Sequence, residues 1–273
     1  MLWHLAPSST SNRFPLGGLA GKTWEVNSAV ASPRGTGTRN TRILGVLTIA
    51  SMAFLALLGL VFSAEDRDQG SSVRIMYVHV PSIWVAYIAF AMTAACSAIY
   101  LSSRNRSLIW DRFAGAAGEI GVLFVAVSLV TGSLWGRLSW GTYWVWDARL
   151  TSTAFLFITY LGYLAVRRLG GTHRQRARRS AVLALLAILE IPLVHFSVRL
   201  WRSLHQEATV ATGGTDVHMD GLMLFSLFFG LITFTLLFLW LVIHRQRSLA
   251  LEDAVENRGL DAAIEARREE AVS

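Results

Sequence analysis

Six long apolar segments dominate this chain of 273 residues. A bilayer core about 30 Å thick requires roughly 20 apolar residues in each helix that crosses it. Six stretches meet that requirement, at approximately residues 43-63, 75-102, 114-134, 150-166, 181-198 and 221-243. Hydrophobic residues make up 53% of the chain and charged residues only 16%, a balance that is unusual for a water-soluble domain of this size. The sequence therefore predicts an all-α integral membrane protein with six transmembrane helices.

The distribution of basic residues predicts how these helices are oriented. If the N-terminus is cytoplasmic, 19 of the 25 Lys and Arg residues fall in cytoplasmic stretches and 6 fall in outer loops. Because Lys and Arg near helix ends remain on the cytoplasmic side, this split favours N-in and C-in termini in the cell (inner) membrane. The basic residues are spread over several loop ends, so the net charge of +7 does not indicate nucleic-acid binding.

The segments outside the spans differ in character from the membrane domain, which we assign to residues 43-243. Residues 1-42 are rich in Ser, Thr, Gly and Pro and are predicted to form a flexible cytoplasmic tail. Residues 244-273 carry many charges in a composition typical of a solvated cytoplasmic helix. The single cysteine, Cys96, falls inside the second span, so we expect neither a disulfide nor a redox pair.

The densest aromatic stretch is "WGRLSWGTYWVWDARL", between the third and fourth spans. It contains Trp135, Trp140, Trp144 and Trp146, together with Gly141, Asp147 and Arg149. Tryptophan is common at membrane interfaces, where it anchors a helix without binding a ligand, and that interpretation stays open. Anchoring does not require this density, however, and side chains two residues apart share a face only in an extended segment. We therefore predict a flat aromatic surface on a loop at the outer face.

Four of the seven histidines, His79, His195, His205 and His218, lie in or near the predicted outer layer. An ionisable side chain at the membrane boundary is a functional candidate, although a single interfacial histidine is often only structural. His79 precedes Pro81, which is well tolerated in the first turn of a helix. His205 follows the fifth span and would stand over the tryptophan loop if that helix continued outward.

Two imidazoles near an aromatic surface favour haem over a bare metal ion. A bare ion usually requires three or four protein ligands, whereas a porphyrin supplies four nitrogens and leaves two axial positions for histidine. The apolar macrocycle can lie against aromatic side chains. Its propionates can bind arginine, for which the outer loops offer Arg74, Arg137, Arg149 and Arg202. We therefore predict non-covalent haem b, with His79 and His205 as axial ligands.

Four further polar residues receive expectations of a different kind. Asp147 is expected to order its loop, either by accepting backbone N–H bonds or by pairing with Arg149. Glu190 lies inside the fifth span, where a charge is costly, so it is expected to be paired or protonated. His195 and His218 are not matched to the ligand positions, but either could replace His79 or His205 as a ligand.

Three motifs also resemble those of a known family. "YVHVPSIW", "WGTYWVWDARLTS" and "SVRLWRSLHQ" resemble, in order and on the same side, the WD-loop haem-handling membrane proteins of cytochrome c maturation. The resemblance covers approximately residues 43-243, and the run after Asp147 together with the six-span length favours the shorter members of that family. It implies that haem is held at the outer face by His79 and His205. The matching loop residues are Trp140, Gly141, Trp144, Trp146 and Asp147.

The resemblance further implies a transfer protein that is not an enzyme. It implies delivery of haem to the haem chaperone CcmE, within an ABC-type export complex that contains CcmA, CcmB and the small membrane protein CcmD. Two alternatives stay open. One is a transporter subunit that moves haem or another substrate across the bilayer, although the chain has no G-x-x-x-x-G-K-S/T loop. The other is a cytochrome that carries electrons, although the chain has no C-x-x-C-H attachment site.

Overall fold

The computed structural model describes residues 37–104, 106–205 and 219–272, and within these ranges it contains helices and no β-strand. The helices, in chain order, are α1 (Arg39–Leu57), α2 (Met76–Ser102), α3 (Leu108–Trp140), α4 (Ala148–Arg168), α5 (His173–Ala187), α6 (Glu190–Leu200) and α7 (Gly221–Val272). A π-helical turn, Leu58–Phe62, extends α1, and a 3₁₀ turn, Ser71–Ile75, precedes α2. The described residues form six helical segments that are long and apolar enough to cross a membrane. The fifth of these segments consists of α5 and α6 together. The predicted all-helical class and number of spans are confirmed.

The third helix, α3, is the centre of the bundle. It packs along α2 and also contacts α4, α5 and α7. Small residues on α3 allow this close approach: a Cβ added at Gly121 would lie 2.4 Å from the Phe90 ring of α2. The same Phe90 ring stacks on Tyr160 of α4, with ring centroids 3.5 Å apart. Large rings from two neighbouring helices therefore fill the core beside α3, since stacked and edge-on aromatic pairs pack densely.

The fifth span is interrupted, whereas the sequence indicated one continuous apolar helix over 181-198. Pro192 has no N–H group, so the carbonyl of Ile188 accepts a bond from Ile191 instead, at 3.2 Å. The helix consequently breaks at residues 188–189 and resumes at Glu190. The Glu190 carboxyl accepts a hydrogen bond from Thr159 Oγ1 at 2.8 Å through Oε1, while its buried Oε2 has no partner among the described residues.

Both terminal helices extend beyond the predicted apolar limits. Helix α1 begins at Arg39 behind a reciprocal cap between Thr38 and Thr41. Residues 1–36 of the predicted N-terminal tail lie outside the described residues. Helix α7 has 52 residues and would measure about 78 Å at 1.5 Å per residue. The predicted sixth span and the C-terminal segment are therefore one continuous helix.

The bundle has two chemically different ends. We call one the histidine end: it contains the start of α2, the connection from α3 to α4 and the residues after α6. We call the other the arginine end: it contains the α2–α3 connection, the α4–α5 connection and the second half of α7. The candidate site lies at the histidine end.

Candidate functional site

His79 is held in the first turn of α2 by hydrogen bonds to α3. Its Nδ1 atom lies 3.0 Å from the carbonyl oxygen of Ser128 and 3.2 Å from Thr131 Oγ1. A carbonyl can only accept, so Nδ1 must carry the ring proton. Within the described ranges, Nε2 makes no hydrogen bond. The unprotonated Nε2 lone pair is therefore available to a metal.

The His79 ring is also fixed by packing. A Cβ added at Gly132 would lie only 2.8 Å from His79 Cε1, so the ring rests directly on the α3 backbone. Trp135 meets the same ring edge-on, with centroids 5.8 Å apart. The indole N–H of Trp135 donates to Gln69 Oε1 at 2.7 Å, which holds the indole in place. The orientation of His79 is thus set by three separate segments of the chain.

His205 reaches the same end of the bundle from a non-helical segment. The outward continuation of the fifth span is not formed: α6 ends at Leu200, and Trp201 is extended, with φ −136° and ψ 157°. His205 nevertheless lies against the tryptophan loop, with its ring centroid 4.9 Å from that of Trp140. Its Nδ1 atom is 3.1 Å from Asp147 Oδ2.

Asp147 organises both the loop and His205. Its Oδ1 caps α4 by accepting the N–H of Leu150 at 2.8 Å. Its Oδ2 accepts hydrogen bonds from Ser203 Oγ at 2.6 Å and from His205. Burial alone would raise the pKa of Asp147, but these three hydrogen bonds bring the pKa below its ordinary value. An ionised Asp147 therefore holds the proton of His205 on Nδ1, and the expected acceptance of a backbone N–H bond is observed for Leu150.

Burial favours the neutral form of His205. It lowers the pKa of the imidazole, and the opposing effect of the hydrogen bond to Asp147 does not restore the ordinary value. Like His79, His205 makes no hydrogen bond through Nε2 within the described part of the chain. Both rings therefore carry the proton on Nδ1 and leave Nε2 free, the arrangement found in most metal-binding histidines.

Arg149 does not pair with Asp147, which corrects that expectation. It donates from Nη2 to the carbonyl oxygen of His195 at 3.1 Å, and its buried Nε has no partner among the described residues. The Arg149 charge acts electrostatically on both His79 and His205. A buried guanidinium donor without an acceptor, close to two imidazoles, is a candidate partner for an anionic group.

The other candidate arginines differ in how fully they are engaged. Arg74 also has a buried Nε without a partner among the described residues, and its Nη2 donates weakly to the carbonyl of Ser63. Arg137 is occupied, since it donates to the carbonyl of Gly141 and lies over the Tyr143 ring. Arg202 is exposed after the end of α6. The structure therefore favours Arg149 and Arg74 over Arg137 as anion partners.

The tryptophan stretch is partly helical. Trp135 and Trp140 belong to α3, which ends where Gly141 adopts the left-handed φ of 77°, and only residues 141–147 form the connection. The rings of Trp144 and Trp146 meet at 83° with centroids 5.6 Å apart. These two indoles therefore do not form the flat surface that their spacing suggested. Trp146 is 83% exposed, which leaves its ring open to a ligand or a partner.

The remaining histidines lie apart from this arrangement. His195 is exposed on α6, and its ring lies edge-on to Tyr87 at 6.5 Å. His218 lies outside the described residues. Sequence reasoning missed Ser128, Thr131, Gly132 and Ser203, which position the two imidazoles. A backbone carbonyl has no sequence signature, and only the short spacing of Ser203 and His205 offered a local signal.

Comparisons with known proteins identify the family. The model of the family "Heme exporter protein C" (CcmC) matches residues 28–260. Heme exporter protein C of Bradyrhizobium diazoefficiens is 40% identical over 220 residues, which cover 79% of this chain and 82% of that protein. Heme exporter protein C of Escherichia coli K12 is 36% identical over 214 residues, covering 75% and 82%.

A plant relative shows the same similarity. A putative cytochrome c biosynthesis ccmC-like mitochondrial protein of Arabidopsis thaliana is 36% identical over 187 residues, which cover 67% of this chain and 70% of that protein. The family match includes every described residue of the histidine end. This chain therefore belongs to the CcmC family of heme exporter proteins.

Proposed function

We propose that this protein acts in haem export for cytochrome c maturation, by binding haem at the outer face of the cell membrane and delivering it to the chaperone CcmE. The names of its bacterial and plant relatives support the pathway. In this proposal it works beside the ABC-type subunits CcmA and CcmB and the small membrane protein CcmD. Its task is transfer of haem, and no catalytic step on a small molecule is assigned to it.

The proposal rests on two histidines from different parts of the chain that have the same hydrogen-bonding arrangement. His79 and His205 each bind an acceptor through Nδ1 and present a free Nε2. A bare metal ion would need further ligands, whereas the iron of haem b requires only two axial donors. The chain therefore offers the donor pair that suits haem.

The two ligands are supported differently. His79 lies between two packed helices, with Gly132 and Trp135 against its ring. His205 lies beyond the end of α6 and is held by Asp147 and Ser203, so it can move without disturbing the bundle. Delivery to a partner requires the loss of protein ligands, and the His205 segment is the side of the site best suited to open.

Surrounding residues provide the remaining contacts. Trp140 lies against His205 and offers an aromatic face for the macrocycle. The unpartnered Nε donors of Arg149 and Arg74 suit the two propionates. The exposed ring of Trp146 can contact either the porphyrin edge or CcmE. The uneven distribution of Lys and Arg supports the outward orientation of this end.

A test of the function is transfer of haem from the purified protein to purified CcmE. We expect the wild type to co-purify with haem and to load CcmE, and we expect His79→Ala and His205→Ala to lose most of the bound haem. The matched control is His195→Ala, which removes an exposed imidazole at the same end. Normal loading of CcmE by both ligand variants would overturn the proposal.

The alternative function is that of a transporter subunit, and vesicles distinguish it. Haem that is bound at the outer face does not have to pass through the helix bundle. Proteoliposomes that contain this protein alone should therefore not move haem across the bilayer. Transbilayer movement of haem in such vesicles, with no binding at His79 and His205, would favour the transporter.

A further inference from the structure

Carboxylates near the membrane boundary of the arginine end are engaged by arginines of the same chain. Asp111 of α3 binds Arg167 of α4 through two hydrogen bonds, at 2.6 and 2.9 Å. Glu119 of α3 binds Arg245 of α7 in the same bidentate manner. Asp253 of α7 forms an ion pair with Arg112, with Oδ2 3.2 Å from Nε. These pairs join α3, α4 and α7, and they leave other arginines at this end without a carboxylate.

Four exposed arginines beside the α2–α3 connection and the start of α5 are among those left over. Arg104 and Arg106 lie in the α2–α3 connection, and Arg174 and Arg178 lie in the first two turns of α5. Across the described ranges, no hydrogen bond or ion pair engages their guanidinium groups. We call these four residues the free arginine cluster.

Two members of the free arginine cluster converge on Tyr100, at the end of α2. The phenol donates to the carbonyl of Arg174 at 3.5 Å. The charges of both Arg106 and Arg174 act electrostatically on the phenol. The nearby Asp111 is already bound to Arg167. Charged side chains from two separate connections therefore act on the same phenol, and neither has a carboxylate partner among the described residues.

This placement is locally unfavourable for the chain. The first turn of α5 contains Arg174 and Arg176 but no acidic residue, although the positive end of a helix dipole disfavours cations. Arg106 has a φ of 41°, a left-handed conformation that is unfavourable for a non-glycine residue. A general excess of basic residues explains their presence at this end but not these positions. Unfavourable local choices of this kind are expected where a ligand offsets them.

An apolar surface adjoins the cluster on the membrane side. Tyr100, Ala177 and Ala181 are buried together, and three partly buried side chains pack against them: Leu101, Leu108 and Trp110. Tryptophan is typical of the headgroup level of a bilayer. The site thus combines unpaired guanidinium groups with an adjoining surface for acyl chains.

We propose that the free arginine cluster binds the headgroup phosphate of an anionic phospholipid. Guanidinium groups bind phosphate oxygens through paired hydrogen bonds, and basic pockets between transmembrane helices suit anionic headgroups. The acyl chains then lie along Leu101, Leu108 and Trp110. Bound lipid would fix the α2–α3 connection to the start of α5, which supports the bundle at the end remote from His79 and His205. The proposal does not depend on haem binding.

The test compares lipid retention by the full-length protein in two kinds of nanodisc, phosphatidylcholine alone and phosphatidylcholine mixed with phosphatidylglycerol. Native mass spectrometry after release counts the retained lipids. We expect the wild type to retain phosphatidylglycerol preferentially, and we expect Arg106→Gln combined with Arg174→Gln to reduce that preference several-fold. The matched control is Arg258→Gln combined with Arg267→Gln, which removes the same charge from the exposed end of α7 and should retain the preference.

A second variant keeps the test informative if the double substitution prevents folding. Arg106→Gly removes one charge and places the residue that best tolerates a φ of 41°, so it should fold at least as well as the wild type while losing part of the preference. Equal preferences in all these variants would overturn the proposal. The proposal would also be contradicted if inorganic phosphate protected the detergent-solubilised protein against thermal unfolding as strongly as phosphatidylglycerol does. The ligand would then be free phosphate.

Discussion

The two ends of the bundle use buried polar groups in opposite ways. At the arginine end, Asp111 and Arg167 satisfy each other, with side chains only 15% and 16% exposed. At the histidine end, the buried Nε of Arg149 and the Nε2 atoms of His79 and His205 have no partner among the described residues. Protein interiors rarely leave such groups unpaired. The buried Asp111–Arg167 pair of the first end therefore needs no ligand, whereas the buried groups of the second end are available to one.

The comparison also shows how one framework serves both ends. Helix α3 contributes Asp111 and Glu119 to the ion pairs of the arginine end. It also positions His79 through the Ser128 carbonyl and Gly132. A ligand site is most accurate when its supports belong to rigid elements. We infer that damage at the arginine end lowers stability, whereas damage at the histidine end lowers haem binding.

The largest expected effect is on stability. Asp111→Ala leaves the buried Arg167 charge without its partner, and breaking such a pair typically costs about 3–5 kcal/mol. Thermal unfolding of the purified protein in detergent should show a strongly lowered midpoint. Glu256→Gln is the control, because Glu256 is 60% exposed and such pairs contribute less than about 1 kcal/mol. Similar unfolding midpoints in the two variants would contradict the claim that the Asp111–Arg167 pair stabilises the arginine end.

Asp147→Asn should separate the two roles of Asp147. Asparagine also caps helices well, so the stability of α4 should change little. The hydrogen bond that fixes His205 would lose its charged acceptor, and loss of such a support typically lowers metal affinity about 10- to 100-fold. Haem titration followed by absorbance measures the affinity, and circular dichroism measures the fold. Full affinity with a lowered unfolding midpoint would mean that Asp147 acts only as a cap.

Gly132→Ala should displace His79 and weaken haem binding about 10-fold. The new Cβ would lie 2.8 Å from His79 Cε1, so the ring must move away from α3. Gly162→Ala is the control, since a Cβ there meets no atom within 4 Å. Haem retention through a desalting column compares the two variants. Equal retention would show that contact with α3 does not set the position of His79.

The smallest expected effect is a pH dependence of the haem-free protein. The pKa of His205 in the folded protein lies below its ordinary value of 6.5, so the unfolded chain binds more protons below about pH 6.5. The contribution of His205 to stability is therefore present above that pH and is lost as the pH falls. Unfolding midpoints measured from about pH 7 to about pH 5 should fall more for the wild type than for His205→Gln. An equal fall of the unfolding midpoint in the wild type and in His205→Gln would contradict the lowered pKa of His205.

The sequence predicted the framework of the protein better than the details of its site. Six apolar segments identify six spans because bilayer thickness sets their length. The break before Glu190 depended on which hydrogen bonds form around Pro192, and the end of α6 at Leu200 had no strong local signal. The candidate ligands His79 and His205 were predicted from residue type and from the predicted side of the membrane. Their supports, a Ser128 carbonyl and the close approach of Gly132, are tertiary contacts that no spacing encodes.

The most direct test of the account is the spectrum of haem bound to the purified protein. Two neutral imidazoles on ferric haem should give a low-spin absorption and electron paramagnetic resonance signature. We predict that His79→Ala and His205→Ala each lose this signature and become high-spin or release haem, and that added imidazole restores the low-spin form in protein that still holds haem. His195→Ala should retain the wild-type spectrum. Unchanged low-spin haem in either ligand variant would contradict the claim that His79 and His205 bind the iron.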